Sequence, residues 1–178
     1  MRRPPIARSF IREIVFGLED SLVSTVGAVT GMAVGFTYAP IVVFGGIVIV
    51  LVEAFSMAAG SYLSSKTAGA IAHNESEGDL LHPVLGAGIM GLSYIVAGLL
   101  PLFPYMFLGA GDVGALKAAP ISIVLTLIAL FYLGVWGSRY TKRSWWKSGL
   151  EMFVVGGAAI LLGFLVARLL VFLNFASL

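Results

Sequence analysis

Cysteine is absent from this 178-residue chain, so disulfides, iron–sulfur clusters and thiolate metal sites are excluded. Charge is scarce: 11% of residues are charged, where a soluble domain carries about 25%. There is no HExxH, no phosphate-binding glycine loop and no nucleophile elbow. Nothing suggests ATP hydrolysis. We therefore expect a protein that is not an enzyme and that carries no cofactor.

What is abundant is apolar surface. The chain is 59% hydrophobic, with a mean hydropathy of +1.00. A helix crosses a bilayer core in about 20 apolar residues. Five segments reach that length: Ile14–Thr37, Ile41–Ser65, Val84–Leu108, Ala118–Ser138 and Ser148–Asn174. The expected fold is an all-α integral membrane protein, with residues 1–178 forming a single transmembrane domain. The leading MRRPPIARSFIRE is basic like a signal peptide. A full-length span follows it, with no small-residue cleavage site, so we read it as a retained first helix. Pro40 suits a helix start, where its missing N–H is no loss. Gly109–Gly111 and Asp112 should break the chain, and Pro101 and Pro104 should distort the end of the third span.

Basic residues set the expected topology. Arg2, Arg3, Arg8, Arg12, Lys66, Arg139, Lys142, Arg143 and Lys147 fall on one side if the spans alternate; only Lys117 and Arg168 fall on the other. The positive-inside rule then places the N-terminus in the cytoplasm and the C-terminus outside. Tyr140, Trp145 and Trp146 suit an interfacial belt. Absent cysteine and short links suggest a prokaryotic plasma membrane. Small residues recur at helical spacing: Gly27, Gly31 and Gly35; Ser56, Gly60 and Ser64; Gly149, Gly156, Gly157 and Gly163. Such stripes let helices approach closely in lipid, within one chain or between two. A homodimer with a pore between subunits is attractive, because five helices enclose little space.

Charges inside these spans carry the chemistry. A carboxylate in the hydrocarbon is costly and usually lines a path for ions or protons. Glu13 and Asp20 are seven residues apart on one helix face, about 10 Å along the axis. Ser24 continues that stripe. Glu19 is offset by about 100° and is free to pair with Arg12 or another helix. Glu53 and Met57 share a face of the second span. Hard oxygen ligands suit Mg²⁺ or Ca²⁺, and an added thioether tilts the preference toward Fe²⁺ or Mn²⁺. Met57 could equally fill a core gap. Glu151 falls in the first turn of the fifth span, where it complements the helix dipole or accepts a proton. The link His73–His82 holds three carboxylates and two histidines, either a solvated loop or a loose collector of divalent cations.

Four blocks resemble the vacuolar iron transporter family. GLEDSLVSTVGAVTGMAVG resembles its first-span signature, and EAFSMAAGSYLSSKT its second span. GLLPLFPY resembles the end of its third, and LGVWGSRYTKRSWWKSGLEMFVVGGAA its fourth-to-fifth link. The resemblance implies a five-helix dimer that moves Fe²⁺, often Mn²⁺, out of the cytosol in exchange for protons. It matches Asp20 to the family's first-span aspartate, Met57 to its second-span methionine and Glu13 to an acidic position near the cytoplasmic entrance. Three departures stand out. Ser21 replaces a usual glycine, and Ser61 a usual glutamate. The Glu/Met-rich helical insert of many members is replaced by the short link Lys66–Pro83.

The expected metal ligands are therefore Asp20, Met57, Glu53 and Glu13. Glu19 and Glu151 are candidates for proton coupling or the entrance. The competing readings are a non-transporting membrane scaffold and a carrier of a small organic cation. No nucleic-acid partner is expected.

Overall fold

The computed structural model describes residues 5–72, 81–108, 114–141 and 143–173. They form five helices: α1 (Pro5–Gly35), α2 (Ala39–Ala72), α3 (Leu81–Leu108), α4 (Gly114–Thr141) and α5 (Trp145–Phe172). No strand occurs among the described residues. Each helix holds a stretch long and apolar enough to cross a bilayer. The chain is an integral, multi-pass membrane protein.

The helices outrun the predicted spans. α1 begins at Pro5 rather than Ile14, α2 runs past Ser65 to Ala72, and α5 begins at Trp145 rather than Ser148. Hydropathy marks where lipid ends; the helix itself continues wherever propensity permits, as in the alanine-containing KTAGAIA after Ser65. Pro101 and Pro104 sit inside α3, which still reaches Leu108. Ser122 Oγ donates to the Pro101 carbonyl at 2.6 Å and ties α4 to that stretch. Most of the His73–His82 link and the Gly109–Asp112 break lie outside the described residues. His82 itself stacks on Phe10, with ring centroids 5.1 Å apart.

α1 is the hub, packing against all four other helices. It is also the most enclosed span, and α5 the least. On one flank, Val29, Val42, Val50, Tyr94 and Leu102 interlock α1, α2 and α3. On another, Leu22, Ala97, Leu130 and Leu133 join α1 and α3 to α4. Lipid gives little hydrophobic drive for helix association, so close van der Waals fit has to supply it. The α1–α5 seam shows how. A Cβ on Gly163 would overlap the Gly27 carbonyl, and one on Gly31 would lie 2.9 Å from the Gly163 carbonyl. This stripe therefore packs within the chain. The α2 stripe does not: a Cβ on Gly60 would meet nothing within 4 Å, and Ser56 and Ser64 are exposed.

Candidate functional site

The polar groups of α1 divide between two faces. Toward α2 and α3, Ser61 Oγ donates to Glu13 Oε2 at 3.0 Å. Eleven residues on, Ser24 Oγ donates to Glu53 Oε2 at 2.9 Å. These two rungs set the antiparallel register of α1 and α2. Interpolated between them, Asp20 stands about level with Ser56 and Met57. Asp20 also lies within electrostatic reach of Glu53. It is half-buried and makes no hydrogen bond or ion pair among the described residues.

α3 contributes a group that sequence reading passed over. The Tyr94 hydroxyl donates to Glu53 Oε2 and meets Ser24 Oγ at 2.6 Å. Ser21 Oγ donates to the Tyr94 carbonyl at 2.6 Å. Ser24, Tyr94 and Glu53 thus form a ring of three oxygens joining α1, α2 and α3. Two hydroxyl protons serve three contacts, so a further proton would complete the ring. A mid-span tyrosine among Ile, Val and Leu was the available signal; its hydroxyl needs a partner in lipid.

A cleft of about 550 Å³ opens along this face. Glu13, Met57, Ser61, Ser64 and Met90 line it, with Arg12 and Phe16 at its edge. Glu13 and Met57 are therefore brought together. Asp20 and Glu53 are not in its wall; Asp20 stands about level with Met57, and Glu53 lies a turn beyond Met57 along α2. Glu13 is buried rather than open at a mouth. Its second oxygen accepts from Arg12 Nη2 at 2.8 Å. Glu19, free by spacing to pair with Arg12 or another helix, pairs with neither among the described residues.

Glu19 faces the other way. With Glu151, Arg143, Tyr140 and Met152 it lines a second cleft of about 480 Å³ between α1, α4 and α5, and Arg12 and Phe16 wall this one too. Glu151 is in the second turn of α5, because the helix starts earlier than expected. A dipole role at the first turn is thereby ruled out, and Arg143 Nη1 pairs with it at 3.4 Å. Glu13 and Met57 share one cleft, Glu19 and Glu151 the other, and Asp20 and Glu53 line neither; no cluster of three or more His, Asp or Glu able to hold an ion forms among the described residues.

Known proteins share this chain's sequence pattern. The sequence model of the VIT family matches residues 11–80 and 69–168. The chain belongs to the VIT family. Among curated members it is similar to vacuolar iron transporter 2 of Oryza sativa subsp. japonica, 35% identical over 85 residues, covering 48% of this chain and 33% of that protein. It is also similar to vacuolar iron transporter 1 of Eucalyptus grandis, 34% identical over 79 residues, covering 44% and 30% of the two chains. The chain covers about a third of the length of these curated VIT relatives. Among the residues named in the resemblance, Ser61 has a clear place in this VIT chain. It hydrogen-bonds Glu13, so the position keeps a polar contact with α1 although its carboxylate is missing.

Proposed function

We propose that this chain is a secondary transporter that carries Fe²⁺, Mn²⁺ or both out of the cytosol in exchange for protons. The observation that carries the proposal is the α2/α3 face of α1. There, Glu13, Asp20, Met57 and Glu53 follow one another along a single antiparallel seam. Cargo would enter past Glu13 and be held at the level of Asp20 and Met57, with Glu53 beyond. Carboxylate oxygens with a thioether form a mixed set suited to borderline divalent metals. The names of the curated relatives favour iron.

The proton would travel on the same carboxylates, with the Ser24–Tyr94–Glu53 ring as its resting place. Glu19 and Glu151, in the second cleft, remain the candidates for the proton side of the exchange. A homodimer completes the reading. The exposed Ser56, Gly60 and Ser64 stripe borders the open cleft, and polar groups facing lipid favour cover by a second copy. Absent cysteine and short links favour a prokaryotic plasma membrane as host.

The test is metal-dependent proton release from proteoliposomes, run across Fe²⁺, Mn²⁺, Mg²⁺ and an organic cation. The expected result is proton movement driven by Fe²⁺ or Mn²⁺ and not by Mg²⁺. No response to any ion would favour the scaffold reading. A response to the organic cation that Fe²⁺ and Mn²⁺ do not inhibit would favour that cargo instead.

A further inference from the structure

Arg12 already occupies the carboxylate that the proposed cargo path passes first, Glu13. Its guanidinium pairs with the one carboxylate in the wall of the α2/α3 cleft, Glu13. The Glu13 side chain is 4% exposed, while that of Arg12 is 73% exposed. A carboxylate so enclosed needs a cation nearby, and this chain supplies its own. An arginine so exposed holds its partner weakly and is open to displacement.

A displaced guanidinium has somewhere to go. Arg12 lines both clefts, and the second contains Glu19. Glu19 follows Arg12 by seven residues, two turns along the same face of α1. Glu19 lies about 10 Å further along the axis, and both side chains line the wall of the same cleft. Glu19 makes no hydrogen bond or ion pair among the described residues. The other carboxylate in that cleft, Glu151, is taken by Arg143. The carboxylate left open in that cleft is thus Glu19.

We propose that Arg12 is a two-position switch. It neutralises Glu13 until a divalent cation displaces it, and Glu19 then receives it. Cargo arrival in one cleft would thereby rearrange charge in the other. The proposal rests on the reading that a metal ion passes Glu13, and the experiment separates the two.

The experiment is Mn²⁺ binding to the purified full chain in detergent, followed by the paramagnetic resonance signal of free Mn²⁺. Arg12→Gln is expected to tighten the apparent Kd about two- to fivefold, the scale of an exposed ion pair. Arg12→Lys, which keeps a cation but loses the fork, should fall between it and the wild type. Glu19→Gln should loosen binding about two- to threefold and should have no effect in the Arg12→Gln background. If Glu13→Gln weakens binding but Arg12→Gln does not tighten it, the switch is wrong and the entrance role of Glu13 stands. The switch is equally wrong if Glu19→Gln acts to the same extent with and without Arg12. If Glu13→Gln leaves Kd unchanged in both backgrounds, cargo does not meet Glu13, and both the switch and that part of the transport reading fall.

Discussion

The two seams of α1 are built from opposite materials. Toward α2 and α3 an apolar core is crossed by hydrogen bonds: Ser61 to Glu13, Ser24 to Glu53, Ser21 to the Tyr94 carbonyl. Toward α5 the joint is glycine backbone against glycine backbone. A glycine seam has one good arrangement, because the atoms are already at contact. A polar seam can exchange partners, because carboxylates and hydroxyls accept a proton, a metal ion or each other. The hub helix is therefore clamped on one flank and adjustable on the other. The adjustable flank is the one that carries the candidate ligands.

Substitutions that swap these characters should break the comparison. The largest effect is expected for Gly163→Leu, whose side chain has no room beside Gly27; about 3 kcal/mol should be lost, seen as a collapse of the melting temperature in detergent. Glu53→Leu should cost about 2 kcal/mol in the same assay, because the Ser24 and Tyr94 hydroxyls lose their acceptor in a lipid-enclosed site. Tyr94→Phe should cost about 1 kcal/mol, since Ser24 still donates to Glu53. Gly60→Leu sharpens the contrast between the two glycine positions. Its side chain enters open space, so monomer stability should stay within about 0.5 kcal/mol. Light scattering should nevertheless show a smaller dimer fraction if the α2 stripe is the subunit contact. The smallest effect belongs to Arg143→Gln. That ion pair is about two-thirds exposed on both sides, so melting should shift by less than about 0.5 kcal/mol.

Much of the fold was legible because lipid imposes a simple requirement: about 20 apolar residues per crossing. Segment count followed from that requirement, whereas helix ends did not, since helices such as α2 continue beyond the apolar stretch. The acidic stripe of α1 was legible through its seven-residue spacing, and Glu53 through its cost in lipid. Inter-helix partners were not legible, because register between helices is a tertiary property. Arg12 and Glu13 are the sharpest case. Adjacent helical residues do not normally face each other, so a pair between these two is not legible from spacing. Burial of Glu13 against Ser61 and Gly86 leaves its carboxylate reachable by the guanidinium next door. Tyr94 stayed hidden for a similar reason: nothing in its flanking residues points to a carboxylate on another helix.

The glycine stripes teach a related lesson. Small residues recur in α1, α2 and α5, and sequence alone left each stripe open to packing within or between chains. Gly27 and Gly31 pack on α5, whereas a Cβ on Gly60 would meet nothing within 4 Å. Spacing thus identifies a surface that permits close approach, and the surrounding helices decide what approaches.

The central claim is that cations move along the adjustable flank of α1 by way of Asp20. Its most direct test is Mn²⁺ flux into proteoliposomes containing Asp20→Ala, with melting temperature measured on the same preparation. The expected result is flux reduced to the protein-free background with melting unchanged, because the Asp20 carboxylate makes no hydrogen bond or ion pair to another helix among the described residues. Flux at the wild-type rate from that variant would contradict the claim.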